Sequence, residues 1–159
     1  MTQTSKNLYR AIIDGTFIAV DPTADPDSEA PVEGVLYPRT EASTHFDRFG
    51  REWTRRAEMT VFSMQDDAMV DIDGGTVLFD VVGWFGYAGW RYFELPEGTV
   101  LPESLKIERS RHITSNLPGS LQGRRHVIVP LTRMSLEAFK AALDHLARNA
   151  VVRQIELAR

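Results

Sequence analysis

This chain contains no cysteine. Disulfides, thiolate zinc sites and a cysteine nucleophile are thereby excluded, and synthesis in a reducing cytoplasm fits. It also lacks any apolar run approaching the ~20 residues of a bilayer span, so no membrane partner is expected. Residues Met1 to Lys6 are polar and carry no signal-peptide core. Its histidines, His45, His112, His126 and His145, show no ligand spacing and accompany no paired carboxylates, so no metal is expected. Positive charge is in deficit, and a net charge of -4 weighs against nucleic-acid binding through the whole surface without excluding a local basic patch.

What is present suits an ordinary globular protein: 159 residues, 43% hydrophobic and 25% charged, enough for one domain over 1–159 with a proper core. Leu8 to Val20 reads as strand, interrupted by the turn signal Asp14-Gly15. Residues 21–34 place Pro22, Pro26 and Pro31 among acidic residues, which predicts a flexible loop. A short strand is predicted over Val35 to Arg39. Phe46, Phe49, Trp53 and Ala57 fall at helical spacing, which predicts helix within Thr40 to Thr60, although Gly50 opposes it. Thr60 to Met64, Val77 to Val82, Trp90 to Leu95, Leu105 to Arg109 and His126 to Val129 read as further strands, and Gly83 to Gly89 as a loop with bulky anchors.

The clearest element is the last. Ser135 is placed as an N-cap and Glu137 sits at the positive end of the dipole. Leu136, Phe139, Leu143, Leu146 and Ala150 then form one apolar stripe, with Asp144 and Arg148 spaced for an outward i,i+4 pair. Short strands, an early helix and a terminal helix predict an α+β domain.

Three places attract chemical interest. Arg10 stands in the apolar run Leu8-Tyr9-Arg10-Ala11-Ile12-Ile13. A buried guanidinium there requires an anion, and its planar fork suits a phosphate or carboxylate; the alternative is a solvated arginine on an edge strand. Tyr9 alternates to the opposite face and is expected in the core. Gly74-Gly75-Thr76 permits close backbone approach before a strand, or is simply a turn. Arg109, Arg111, His112, Arg124, Arg125 and His126 make a basic segment suited to a pyrophosphate, an acidic inhibitor or nucleic acid, and equally to a solvated loop.

In order and approximate spacing these landmarks resemble a known family, the small bacteriostatic toxins exported by type VI secretion systems, which have an ADP-ribosyltransferase-like fold. The strongest local match is Pro96-Glu97-Gly98-Thr99-Val100-Leu101-Pro102-Glu103-Ser104-Leu105-Lys106, against a family pattern Pro-x-Gly-Thr-x-(Ile/Leu)-Pro-x-x-Leu-Lys. Leu8 to Ala11 matches a Leu-Tyr-Arg-Ala strand, and Gly74, Gly75, Thr76, Phe79 and Asp80 answer to Gly-Gly-Thr-Ser-x-Phe-Asp. Ile128, Pro130, Met134 and the terminal helix follow in the family's order.

The resemblance implies two small, mostly antiparallel sheets around a cleft for NAD, with a long C-terminal helix. It implies NAD as substrate, bound by Arg10, Gly75, Thr76, Phe79 (stacking on nicotinamide, or packed in the core) and Arg125. Thr76 would also support the catalytic group. Active members of the wider fold place a glutamate near the start of a late strand, where Ser120 to Val127 offers only Gln122; an amide is a weaker stabiliser of positive charge. Val77 stands where the family has serine. The expected activity is ADP-ribosyl transfer to an unknown macromolecule, by a toxin that leaves its producer without a signal peptide and acts in the cytoplasm of a recipient cell. A cognate immunity protein is the implied partner. A catalytically degenerate binding domain on the same fold is the alternative, and a nucleic-acid-binding module ranks behind both.

Overall fold

A computed structural model of the chain describes residues 2–13, 33–46, 49–83, 85, 90–113 and 124–159. Strands run over Leu8–Ile13 (β1), Ser43–Phe46 (β2), Glu52–Arg55 (β3), Phe62–Met64 (β4), Asp67–Val70 (β5), Thr76–Phe79 (β6), Trp90–Leu95 (β7), Leu105–Ile113 (β8), Arg124–Pro130 (β9) and Met134–Ser135 (β10). Among the described residues one helix, α1, covers Leu136–Ala158. The protein is therefore α+β with antiparallel sheets and a C-terminal helix.

The principal sheet has five strands in the order β7-β1-β6-β9-β8. Its pleat sorts side chains onto two faces. Leu8, Leu78, Phe93, Leu95 and Ile128 meet Phe139, Leu143 and Leu146 of α1 in the main core, where each fully buried large side chain contributes about 1.5–3 kcal/mol. The other face carries a smaller cluster of Ala11, Phe79 and Trp90, flanked by Trp53, Val77 and Tyr92. The remaining sheets are the β10-β5-β4 triplet and the β2-β3 hairpin, so the described residues hold three sheets where two were expected.

The terminal helix follows its sequence signals. The Ser135 hydroxyl accepts from Ala138 N at 3.1 Å, and Phe139, Leu143, Leu146 and Ala150 are buried. Asp144, by contrast, turns its carboxylate to Gly34 N (2.9 Å) and Tyr37 Oη (2.7 Å), away from the outward pair with Arg148. Burial, then the Asp144 hydrogen bond, pushes the Tyr37 phenol up to about 12.

Two predicted elements differ. The region 40–60 holds the hairpin β2-β3, paired as Thr44↔Thr54 and Phe46↔Glu52, not a helix. Gly50 sits at φ +75°, which ends a helix, and Phe46 and Phe49 are 69% and 73% exposed, so their spacing marks no buried stripe. Residues 35–39 form no strand: a turn closes at Gly34 (φ +82°), with Tyr37 N donating to Gly34 O at 3.1 Å. Most of the predicted loop at 21–34 and of Gly83 to Gly89 lies outside the described residues, as do 14–20.

Candidate active site

Beside the smaller apolar face lies a cleft of about 530 Å³. Arg10, Arg39, Arg56 and Arg125 line it together with Trp53, Phe79, Phe85 and, among the described residues, a single carboxylate, Glu58. Sheet register explains most of this placement. Phe79 pairs with Arg125 and Val77 with Val127, so alternate residues of β6 and β9 look into the cleft. Tyr9 pairs with Phe79 and shares that face, the reverse of its expected core position, while Arg10 lies on the core face with Leu8 and Ile12.

Arg10 is consequently 5% exposed and needs a counter-charge inside the protein. Glu58 supplies it. Arg10 Nη1 donates to Glu58 Oε2 at 2.5 Å and Nη2 to Oε1 at 2.8 Å, a bidentate fork. Its remaining reach goes to the carbonyls of Val77 (3.1 Å) and Tyr37 (2.9 Å). Glu58 also accepts from Arg39 N at 2.9 Å and Val77 N at 2.6 Å. Burial would raise its carboxyl, but the Arg10 charge and hydrogen bonds, with Arg39, more than offset that and hold it below the usual carboxylate range.

The double glycine makes this approach possible. A Cβ on Gly75 would lie 1.7 Å from Ile128 O of β9, and one on Gly74 would lie 3.1 Å from Glu58 O. Gly75 thus lets β6 and β9 close, and Gly74 lets the chain at Glu58 lie against β6. Thr76 next to them is fully buried, its hydroxyl donating to Leu36 O at 2.5 Å. It braces the cleft wall from behind.

Arg39 is held less completely. Its Nε donates to Arg56 O at 3.2 Å, and its backbone carbonyl accepts from Glu58 N at 2.8 Å. Nη1 lies 3.1 Å from Glu58 Oε1, but the angle makes no hydrogen bond, leaving Nη1 buried without one among the described residues. Burial first, then repulsion from Arg10 and Arg125, lowers the Arg39 pKa against the pull of Glu58.

Aromatic rings form the other wall. Phe79, 4% exposed, meets Phe85 edge-on at 5.5 Å, and Phe85 stacks on Trp90 at 4.4 Å. Trp53 of β3 tilts against Trp90 at 6.3 Å. Phe85, 43% exposed, is the ring available to a ligand, whereas Phe79 backs it. Arg125 is exposed on the cleft rim. Gln122 lies outside the described residues. His126 faces away from the cleft, its Nε2 3.3 Å from Asp80 Oδ2.

The structure therefore gathers Arg10, Phe79 and Arg125 around the cleft and sets Gly75 and Thr76 in its supporting frame. Sequence reasoning missed Glu58, Arg39, Trp53 and Phe85. The requirement of Arg10 for an anion was the one signal pointing toward Glu58, and it said nothing of where along the chain that anion lay.

A small α+β domain whose central sheet backs a cleft of arginines and aromatic rings is suited to an anionic ligand bearing flat ring systems. A family model for the Tse2 ADP-ribosyltransferase toxin matches residues 7–155, and the chain belongs to that family. It is also similar to Toxin Tse2 of Pseudomonas aeruginosa (strain PAO1), 29% identical over an alignment 162 positions long that takes in 99% of this chain and 95% of that protein. The protein is thus a member of a toxin family with an ADP-ribosyltransferase domain. No helix among the described residues is long and apolar enough to cross a membrane.

Proposed function

We propose that the protein is an NAD-dependent ADP-ribosyltransferase toxin, carried by type VI secretion into a recipient cytoplasm, and that NAD occupies the arginine-rich cleft. One observation carries this reading: in a chain of net charge -4, the described residues collect four arginines against one glutamate in a cleft walled by Phe85, Phe79 and Trp53. A dinucleotide needs that combination, cations for its diphosphate and flat apolar surface for its rings. The volume of about 530 Å³ lies within the ordinary range of small-molecule sites. Nη1 of Arg39, paired with Glu58 but without a hydrogen bond among the described residues, adds donor capacity.

NAD, when bound, supplies a ribosyl–nicotinamide bond whose cleavage develops positive charge on the ribose. The residues of this chain hold and orient it. Arg125 meets the ligand from the rim, Phe85 stacks with Phe79 behind it, and Arg10 fixes the wall through Glu58. Gly75 and Thr76 keep β6 against β9 and Leu36, which sets the width of the cleft. Gln122, three positions before Arg125, is the candidate to face the ribosyl cation. A cognate immunity protein would silence the toxin in its producer.

The degenerate-binder reading has one observation in its favour. Glu58, the carboxylate in the cleft lining, is 2% exposed and saturated by Arg10, Val77 N and Arg39 N. It has no free oxygen with which to stabilise a cation. The two readings separate in a nicotinamide-release assay with the purified chain, set beside growth of a bacterial host during induced cytoplasmic expression. The expected result is release and growth arrest, both reduced at least tenfold by Arg125→Ala and by Phe85→Ala at matched soluble levels. Growth arrest without nicotinamide release, unchanged by either substitution, would retire the NAD reading. Arg10→Ala is the wrong probe, since it strands Glu58 and abolishes activity through the fold.

A further inference from the structure

The arginine of β1 is the obvious anion ligand by sequence, yet its fork is already taken. Both terminal nitrogens of Arg10 are spent on Glu58 and on the carbonyls of Tyr37 and Val77. These four bonds use four of the five guanidinium N–H donors and leave only Nε–H to offer a ligand. Displacing Glu58 would demand that a carboxylate 2% exposed, itself held by two backbone amides, give up every bond it makes.

Arg39 stands in the opposite condition. Its side chain is 22% exposed along the same cleft. Nε is fixed on Arg56 O and the backbone on Glu58, so stem and plane are located, yet the buried Nη1 has only an ion pair with Glu58 Oε1 at 3.1 Å and no hydrogen bond. A buried guanidinium nitrogen held by an ion pair of poor hydrogen-bond geometry keeps donor capacity that an entering acceptor can take up. Arg125 lines the same cleft, and two cations facing one space favour an anion between them.

We infer that Arg39, pre-oriented by Glu58 and Arg56 O and assisted by Arg125, is the residue that grips a diphosphate in the cleft, and that Arg10 serves only the fold. The identity of that diphosphate as part of NAD rests on the functional reading above; the grip does not. The consequence differs from what the sequence implies: the ligand lies toward the segment 37–39 and the β9 rim, clear of the β1 arginine.

The test is calorimetric titration of inorganic pyrophosphate, and separately of NAD, into the full chain and its Arg39→Gln, Arg39→Lys and Arg125→Gln variants, with thermal unfolding of each. Arg39→Gln is expected to bind pyrophosphate at least about tenfold more weakly while unfolding within a few degrees of the native chain. Arg39→Lys keeps the charge but not the planar fork, and is expected to recover part of that loss. Arg125→Gln is expected to lose about three- to tenfold. Undiminished pyrophosphate affinity in Arg39→Gln, or in Arg39→Lys where the glutamine variant does not fold, overturns the assignment, as does absence of pyrophosphate binding by the native chain. NAD bound equally by the native and Arg39→Gln chains overturns the role of Arg39 and leaves the NAD reading standing. Pyrophosphate held through Arg39 by a chain that binds no NAD sustains the grip and removes that reading.

Discussion

Glu58 holds together three parts of the chain far apart in sequence: β1 through Arg10, the segment at Arg39, and β6 through Val77 N. Its two oxygens receive only donors. An amide in its place would turn an NH₂ toward one of those donors whichever way it rotated. Glu58→Gln is therefore expected to cost about 3–5 kcal/mol, the usual result of stripping one partner from a buried ion pair. Urea denaturation reads this directly; a loss below about 1 kcal/mol would mean that Arg10 finds another counter-charge. The need of Arg10 for an anion was legible in a guanidinium set among Leu8, Ala11 and Ile12. Its partner was not, because a contact between residues 48 apart leaves no periodic trace in either segment. Period-two alternation alone could not say which face of β1 was the core, and the sequence reading chose the wrong one for Tyr9.

Elements whose signals agree at several levels were read well. For α1 the N-cap, the first-turn acid and the apolar stripe all coincide, and β7 at Trp90–Leu95 lies where its alternation puts it. Conflicting signals misled. Phe46, Phe49, Trp53 and Ala57 imitate a helical face although the backbone turns over at Gly50 and pairs with itself. The β4–β5 hairpin had no glycine to announce it. Gln65 and Asp66 form its two-residue turn with φ of 50° and 67°, the geometry of a type I′ turn normally given to Asn-Gly. Holding ordinary L-residues in the left-handed region costs about 1 kcal/mol each. Asp66→Gly is accordingly expected to stabilise the protein by about 0.5–1 kcal/mol, seen as a higher urea midpoint with unchanged slope. A lower midpoint would show that Asp66 makes a contact worth more than the relief of its backbone.

For the molecule as a whole, the most recognisable stretch of sequence turns out to hold the architecture and not the cleft. Thr4 and Thr99 hydroxyls both donate to Pro96 O, Gly98 turns at φ +90°, and α1 docks there through Asn149 to Val100 O and Arg153 to Glu97 O. Family likeness was thus legible through packing, whereas the cleft-lining side chains Arg39 and Phe85 sit in segments without distinctive pattern. Global stability should carry the mark of two buried titrating groups beside the central sheet. His126, 7% exposed between β8 and β6 with Asp80 at 3.3 Å and Lys6 and Arg109 nearby, is pushed below its ordinary value chiefly by burial, the Asp80 contact opposing. The unfolded chain then takes up a proton at about pH 6.5 that the folded one refuses, so stability falls as pH drops from about 7.5 through that value. Glu58 has the same sign in a lower window: its carboxyl is depressed in the fold, its contribution is complete above about pH 5, and it is lost as pH falls below the usual carboxylate range. The thermal midpoint is therefore expected to descend in two limbs on acidification. His126→Gln should flatten the upper limb and leave the lower one, because an amide can hold Asp80 without titrating. A native midpoint that is level between about pH 7.5 and 5.5 would mean that His126 gains its proton without penalty, and that Asp80 rather than burial governs that side of the sheet.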